Sequence, residues 1–351
     1  MKVLIMAGGT GGHVFPALAV AELLRADQHE VEWMGTAAGL EARVVPEHDI
    51  PLRTIDVRGL RGTGWRRLVV APFAIMRAIL QAIAIVRRLQ PAVVLGMGGF
   101  AAGPGGIAAW LLRRPLVIHE QNAAAGLTNR LLARFARRVL QAFPDALPGA
   151  TLVGNPVRAA FSALPPPERR FADRDGPLRL LVVGGSQGAR ALNERVPQAL
   201  ALCGGHPFDV WHQGGRTVEV AQQAYAEAGL SARIDAFIDD MAAAYAWADV
   251  VVCRAGAMTV AELSAAGVGA ILVPFPAAVD DHQTRNGQHL VDRDAAVLIQ
   301  EAVLTPQRLA QTLRDIGHRD RLLRMAQAAR AAAMPDSGHR IASACLEVAR
   351  P

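Results

Sequence analysis

Apolar runs that end in glycines set the pattern of this chain. The run 3–7 (VLIMA) leads into 8–13 (GGTGGH), and the run 178–183 (LRLLVV) leads into 184–188 (GGSQG). An Ala-rich segment with helical character follows each glycine loop. Strands without a polar face are typical of parallel sheets that helices cover on both sides. Each segment therefore predicts the first strand, loop and helix of a doubly wound sheet.

A second pair of segments has the same form. The run 92–95 (AVVL) leads into 96–99 (GMGG), and 249–252 (DVVV) leads into 253–256 (CRAG). One α/β architecture is therefore used twice. A Pro-rich and charged stretch at 165–176 separates the halves, as a linker would. We predict domains at 1–162 and 163–351, with the last helix as a candidate to pack back on the first domain.

Composition limits the class of protein and its partners. The chain has 351 residues, of which 52% are hydrophobic, enough for two buried cores. Aromatic residues make up 5%, which argues against a base-stacking surface for nucleic acid. Three dispersed cysteines exclude a disulfide framework and a thiolate zinc site, and fit a reducing cytoplasm. A net charge of +6 favours an anionic partner.

Two stretches raise the question of a membrane. The uncharged run 90–112 contains two prolines and six glycines, so we predict a strand, a loop and a helix there rather than a span. The strand-like start of the chain predicts no signal peptide. Farther along, Phe73, Met76 and Ile79 recur at helical spacing among arginines. This segment is either a membrane-docking helix or an ordinary core helix.

Polar residues after predicted strands are the candidate site. The segment 119–122 (HEQN) follows an apolar strand, where α/β sheets place ligands. In 253–262 (CRAGAMTVAE), a helix start could hold a diphosphate while Glu262 accepts hydrogen bonds from ribose hydroxyls. The alternative is that Thr259 and Glu262 form a capping box.

The glycine loops do not match the standard nucleotide fingerprints. In 9–14 the sixth position of G-x-G-x-x-G is Val14, and the only acid at a suitable distance is Glu32, inside a predicted strand. No P-loop motif occurs. These departures argue against a dinucleotide-dependent oxidoreductase, which remains one rival interpretation. A nonenzymatic binder of membranes or nucleic acid, suggested by charge alone, is another.

Taken together, the motifs resemble the MurG family of bacterial glycosyltransferases. The segments that carry the resemblance are 8–16 (GGTGGHVFP), 96–100 (GMGGF), 119–122 (HEQN), 154–158 (GNPVR), 184–189 (GGSQGA), 237–241 (FIDDM), 253–262, 274–275 (PF) and 280–283 (DDHQ). They occur in order over most of the chain. Ala255, where many relatives have Ser, and Gly287, where Ala is common, are small departures.

The resemblance implies a GT-B fold, in which two Rossmann-like, doubly wound domains face a central cleft. It implies transfer of N-acetylglucosamine from UDP-GlcNAc to the 4-hydroxyl of N-acetylmuramic acid in lipid I, giving lipid II for peptidoglycan and cell-wall synthesis. The C-terminal domain would bind the donor and the N-terminal domain the lipid-linked acceptor. The implied partners are these two substrates and the anionic cytoplasmic face of the inner membrane, but not nucleic acid.

The resemblance also implies which residues bind substrate. From the C-terminal side these are Ser186, Ile238, Ala257, Met258, Thr259, Val260, Ala261, Glu262 and Gln283, and from the N-terminal side Thr10, Gly11, Gly12, Asn122 and Arg158. The backbone at Ile238 would read uracil, Glu262 the ribose and Gln283 the sugar hydroxyls. The docking patch would be Val69, Phe73, Met76 and Ile79. No cofactor or metal is expected, and assistance by a divalent cation stays open.

An inverting transfer needs a general base for the acceptor hydroxyl. His13, beside the first glycine loop, is our candidate, either as the base or as a partner of the acceptor diphosphate. His119 and Glu120 are held in reserve. The alternative within the same fold is another nucleotide-sugar enzyme, such as a UDP-sugar epimerase.

Overall fold

The computed structural model describes residues 1–57, 65–185, 187–204 and 208–349. The chain divides into two compact units. The first consists of Met1–Val157 with Met334–Pro351, and the second of Arg158–Ala333. The division falls before Arg158, whereas the sequence predicted it after residue 162. The reason is a short helix, Ala159–Ser162, which packs within the second unit.

Within the described residues, the first unit has a sheet of seven strands. The strands are β1 Lys2–Met6, β2 Glu30–Gly35, β3 Leu52–Thr54, β4 Val93–Gly96, β5 Leu116–Glu120, β6 Arg138–Gln141 and β7 Thr151–Leu152. The helices are α1 Gly11–Ala26, α2 Glu41–Glu47, α3 Trp65–Leu89, α4 Ala102–Leu111 and α5 Leu127–Leu132. The strand order is β3-β2-β1-β4-β5-β6-β7, and every pairing is parallel.

The described part of the second unit has a sheet of six strands. The helices before this sheet are α6 Ala159–Ser162 and α7 Pro167–Ala172. The strands are β8 Leu178–Val183, β9 Phe208–Gln213, β10 Arg233–Asp235, β11 Val250–Cys253, β12 Gly269–Leu272 and β13 Ala296–Leu298. The helices that follow the first strand are α8 Arg190–Leu202, α9 Val218–Glu227, α10 Met241–Trp247, α11 Ala257–Ala266, α12 His282–Val291, α13 Pro306–Ile316 and α14 Arg319–Ala331. The order is β10-β9-β8-β11-β12-β13, again parallel throughout.

The two sheets share one topology. Numbered within its own unit, each begins 3-2-1-4-5-6, the order of a dinucleotide-binding fold. The prediction of two Rossmann-like, doubly wound sheets is therefore confirmed. In β1, Val3 and Ile5 face one buried cluster while Leu4 and Met6 face the other. Burial on both faces is the physical reason that this strand is apolar at successive positions.

The last helix, α15 Ser337–Ala349, belongs to the first unit. It packs against α1 and against β4, β5 and β6. Ile341 and Cys345 are fully buried in the same cluster as Val3 and Ile5. The end of the chain therefore completes the core of the domain in which the chain begins.

The uncharged run 90–112 folds as the sequence predicts. It forms β4, a glycine loop and α4. In the described ranges, no helix combines the length and the apolar character that crossing a bilayer requires. The glycines within this run therefore mark a turn between a buried strand and a helix.

Candidate active site

The first glycine loop leaves the start of α1 open. Thr10 is the N-cap residue of α1, and its side chain makes no capping hydrogen bond. The first amides of a helix have no partner inside it, so Gly11 and Gly12 present backbone N–H groups at the positive end of a helix dipole. His13 follows, half-buried, with Nδ1 3.4 Å from the Thr10 hydroxyl. This end of α1 can bind an anion.

The second glycine loop lies directly against the first. A Cβ on Gly98 would lie 2.7 Å from Cδ2 of His13, and a Cβ on Gly99 would lie 2.8 Å from the backbone N of Gly8. Both Gly98 and Gly99 have a positive φ, at 92° and 85°. The imidazole of His13 therefore rests on backbone that has no side chain, and larger residues here would push the two loops apart.

Glu41 is part of this arrangement, and our sequence reasoning missed it. Its carboxylate accepts hydrogen bonds from Gly9 N at 2.9 Å, Thr36 N at 2.9 Å and Thr36 Oγ1 at 2.8 Å. The residue is completely buried. The only local signal is a polar residue at the first position of a short helix, which is common and does not point to a site.

His119 is buried too deeply to match its role as a reserve base. Its Nε2 lies 2.9 Å from the carbonyl oxygen of Gly154, so Nε2 carries the proton and donates. Burial lowers the pKa of His119 to about 4, because a charged imidazolium is poorly solvated there. These contacts favour a role in holding β5 to the segment after β7.

Glu120, the other reserve candidate, organises the loop that follows it. Its carboxylate accepts from Asn122 N at 2.9 Å, Gly126 N at 3.1 Å and Asn129 Nδ2 at 2.8 Å. The side chain is buried. The contacts of Glu120 therefore favour positioning Asn122, which is half-buried at the carboxyl end of β5.

In the second unit, a buried network supports the glycine loop after β8. Asn193 Nδ2 donates to the carbonyl oxygens of Gly214 and Thr217, so its Oδ1 must accept from His212 Nε2, which lies 3.0 Å away. His212 Nδ1 then accepts from the hydroxyl of Tyr225. Gly188 packs closely on this turn, since its Cβ would lie 2.7 Å from the Gly214 oxygen. Ser186, predicted to bind diphosphate, lies outside the described residues.

Helix α11 begins with open amides, and the capping-box alternative is wrong. The N-cap residue is Gly256, with no side-chain cap, so Thr259 lies inside the helix rather than at its cap. Ala257 and Val260 are buried. They can reach a ligand only through their backbone. The amides at the start of α11 therefore form a second anion-binding helix end.

Glu262 has an unusual environment. Burial raises the pKa of its carboxyl to about 7, and the positive charge of Arg158 opposes that rise. Arg158 is the N-cap residue of α6, and its guanidinium lies 4.9 Å from the centre of the Phe161 ring. The sequence placed Arg158 on the N-terminal side, but it belongs to the second unit. Helix α6 packs on α11, which brings Arg158 into the electrostatic environment of Glu262.

The remaining donor candidates, Ile238 and Gln283, follow strands of the second sheet. Ile238 is buried between β10 and α10, whose N-cap Asp240 accepts from Ala243 N at 2.9 Å. Gln283 lies in the first turn of α12, and its Oε1 accepts from Phe275 N at 2.9 Å. That bond orients the carboxamide with Nε2 as the donor. In the part of the chain described, no three His, Cys, Asp or Glu side chains cluster as metal ligands.

Helix α3 has a small inner face and a large apolar outer face. Ala71, Ala78, Ala82, Val86 and Leu89 are buried. Phe73 is 76% exposed, Met76 57% and Leu80 59%. Ile79 is half-buried, and the side chain of Val69 lies outside the described residues. One face of α3 therefore packs in the core, and the opposite face, which includes Leu80, exposes apolar side chains.

Known proteins are similar to this chain over nearly its full length. Residues 3–141 match the glycosyltransferase family 28 N-terminal domain, and 179–341 match its C-terminal domain. The UDP-N-acetylglucosamine--N-acetylmuramyl-(pentapeptide) pyrophosphoryl-undecaprenol N-acetylglucosamine transferase of Alkalilimnicola ehrlichii is 58% identical over 355 residues. The match covers 100% of this chain and 99% of the relative.

Solved structures agree in fold. The crystal structure of Acinetobacter baumannii MurG matches with a TM-score of 0.89 and 42% identity, covering 99% of both chains. The calicheamicin glycosyltransferase CalG4 matches with a TM-score of 0.67 over 100% of both chains, at 15% identity, which shows the fold alone. The predicted GT-B class of two Rossmann-like domains is confirmed.

Proposed function

Because the chain belongs to the MurG family within glycosyltransferase family 28, we propose that it transfers N-acetylglucosamine from UDP-GlcNAc to lipid I and forms lipid II. The observation that carries the proposal is 58% identity, over the full length, to a transferase named for this reaction. The epimerase alternative is not favoured, since the full-length relatives at 54–58% identity are named as transferases.

The second unit supplies the donor-binding groups. The open amides at the start of α11 and the helix dipole favour the diphosphate, and Arg158 adds a positive charge beside the same helix. The carboxylate of Glu262 accepts hydrogen bonds from the ribose hydroxyls. The backbone at Ile238 reads uracil, and Gln283 donates from Nε2 to a sugar hydroxyl. The start of α11, Glu262, Ile238 and Gln283 each follow a strand of the second unit's parallel sheet, where such folds bind nucleotides.

The first unit supplies the acceptor chemistry. Neutral His13 takes the proton of the acceptor's 4-hydroxyl. The oxygen of that hydroxyl bonds to the anomeric carbon of the donor sugar, and the bond from the anomeric carbon to the diphosphate oxygen breaks. UDP leaves with the electron pair, and the amides of α11 and Arg158 compensate its charge. Asn122 and the backbone at Thr10, Gly11 and Gly12 provide further hydrogen bonds to substrate oxygens.

Product analysis with both substrates tests the proposed reaction. The purified protein, given UDP-GlcNAc and lipid I, is expected to release UDP and to form one lipid-linked disaccharide per UDP. Without lipid I we expect no turnover beyond slow hydrolysis. An epimerase would alter the sugar nucleotide without an acceptor, so acceptor-independent change of the donor sugar would refute the transferase assignment.

The proposed location is the cytoplasmic membrane face, on which the protein is peripheral. The acceptor is lipid-linked, so the enzyme must meet it at a membrane. The outer face of α3, formed by Phe73, Met76 and Leu80, exposes large apolar side chains, and Arg77, which forms an ion pair with Asp56, lies among them. Apolar side chains beside cations bind anionic interfaces by burial and by charge attraction.

The double variant Phe73→Ser/Met76→Ser is expected to bind anionic vesicles at least about tenfold more weakly, because burying one large apolar side chain contributes roughly 1.5–3 kcal/mol. Sedimentation with phosphatidylglycerol vesicles measures the partition. Leu202→Ser, at an exposed apolar position in the other unit, is the matched control and should bind as the parent does. Undiminished vesicle binding by the double variant would contradict this docking surface.

A further inference from the structure

We infer that Glu41 is the positioning residue of the glycine loop 8–13, which carries His13 and the open amides of α1. The inference rests on the proposed function only for the consequence, a loss of turnover. The contact itself belongs to the fold of the first unit. Glu41 would touch no substrate and would act through the backbone of Gly9.

The carboxylate of Glu41 joins two loops that follow neighbouring strands. Oε2 accepts from Gly9 N in the loop after β1, and Oε1 accepts from the backbone and the hydroxyl of Thr36, just after β2. Two of the three partners are backbone N–H groups and the third is a hydroxyl, so the contacts suit a carboxylate, which offers two accepting oxygens. A carboxylate that accepts backbone N–H bonds makes charge-assisted hydrogen bonds, which hold a loop more firmly than neutral ones.

Glycines make room for this carboxyl group. A Cβ on Gly8 would lie 2.7 Å from Cδ of Glu41, and a Cβ on Gly35 would lie 2.6 Å from its Cγ. A Cβ on Gly39 would also collide with the carboxyl group. The side chain is therefore enclosed by backbone from three glycines, and its position is set by contact on several sides.

Charge pairing does not account for the burial of Glu41. Glu32, a buried carboxylate on β2, is paired with Arg53 at 2.9 Å. None of the ion pairs among the described residues includes Glu41. Its compensation comes from the three donors and from its place in the first turn of α2, where the helix dipole favours negative charge. Burying an unpaired carboxylate is costly, and positions that break a local rule concentrate at functional sites.

The position of the Gly9 backbone affects the position of His13. Thr10, the next residue, uses its carbonyl oxygen to accept from His13 N and Val14 N, each at 3.1 Å. Those bonds form the first turn of α1. Fixing Gly9 therefore fixes the turn that sets the imidazole of His13 over Gly98.

The test replaces Glu41 with glutamine. A carboxamide has one accepting oxygen and one NH₂ group, so Glu41→Gln must set a donor against either Gly9 N or the two donors of Thr36. In the apo protein we expect the amide resonance of Gly9 and the imidazole resonances of His13 to shift. We expect kcat to fall about tenfold, the loss typical of one charge-assisted hydrogen bond. Glu41→Asp keeps both accepting oxygens and should recover part of the loss.

Glu32→Gln is the matched control, because it disturbs a buried carboxylate that is bonded to Arg53 and not to the loop. It should lower Tm while leaving the His13 resonances and kcat unchanged. If Glu41→Gln does not fold, Thr36→Val removes one hydrogen bond to Oε1 and should shift the same resonances by less. Unmoved Gly9 and His13 resonances would overturn the inference. Shifted resonances with unchanged kcat would support the positioning and refute the proposed role of the loop.

Discussion

Replacing His13 with alanine is expected to lower kcat by about 10²- to 10⁴-fold, the contribution of a well-placed general base. The imidazole is half-buried beside the open end of α1 and rests on the backbone of Gly98. A neutral imidazole there can accept a proton from an alcohol at neutral pH. The measurement is single-turnover transfer with saturating donor and acceptor, so that binding does not limit the rate.

The pattern of kinetic change separates the two roles of His13. If His13 is the base, kcat falls while the KM for lipid I changes little. If it binds the acceptor diphosphate, the KM for lipid I rises and kcat is largely kept. His339→Ala, an exposed histidine on α15, is the control and should behave as the parent. An alanine variant at position 13 with near-normal turnover would eliminate the base assignment.

The kcat/KM for the donor UDP-GlcNAc is expected to fall as the pH is lowered through about 7. Burial raises the pKa of Glu262 to about 7 in the free protein, so the carboxyl becomes protonated below that pH and loses an accepting oxygen for the ribose hydroxyls. Since kcat/KM reports the free enzyme, kcat/KM for UDP-GlcNAc should fall up to about tenfold per pH unit below 7. The diphosphate diester of the donor does not titrate in this range.

Glu262→Gln should remove the part of the acid limb that Glu262 causes, leaving only the dependence on the proposed base His13. It should also lower kcat/KM for UDP-GlcNAc about 100-fold at pH 8, because hydrogen bonds to a charged group contribute roughly 1.5–3 kcal/mol each. The pH profile of kcat/KM, measured at saturating lipid I, is the readout. Glu194→Gln, at a partly exposed carboxyl on α8 paired with Arg190, should leave the profile unchanged. An acid limb in Glu262→Gln that is identical to that of the parent would refute the assignment of this pH dependence to Glu262.

The fold could be predicted because its signals are local. A buried parallel strand must be apolar on both faces, so β1 and β8 can be recognised from the sequence alone. Glycines at the carboxyl ends of these strands mark the turns into helices whose N-termini can bind a ligand. The strand–loop–helix pattern occurs twice, which indicates two similar sheets. The open helix starts at Thr10 and Gly256 follow from the same local pattern.

Tertiary structure decided which polar side chains meet. His119 and Glu120 lie in one motif, yet both are buried and hold neighbouring backbone, which no spacing rule reveals. Arg158 and Glu262 are distant in sequence, and only the packing of α6 on α11 brings their charges together. Glu41 joins loops from two strands that are adjacent only in the sheet. The burial of a strand can be predicted from its own residues, because they must be apolar. A hydrogen bond between distant segments depends on where the fold places both partners.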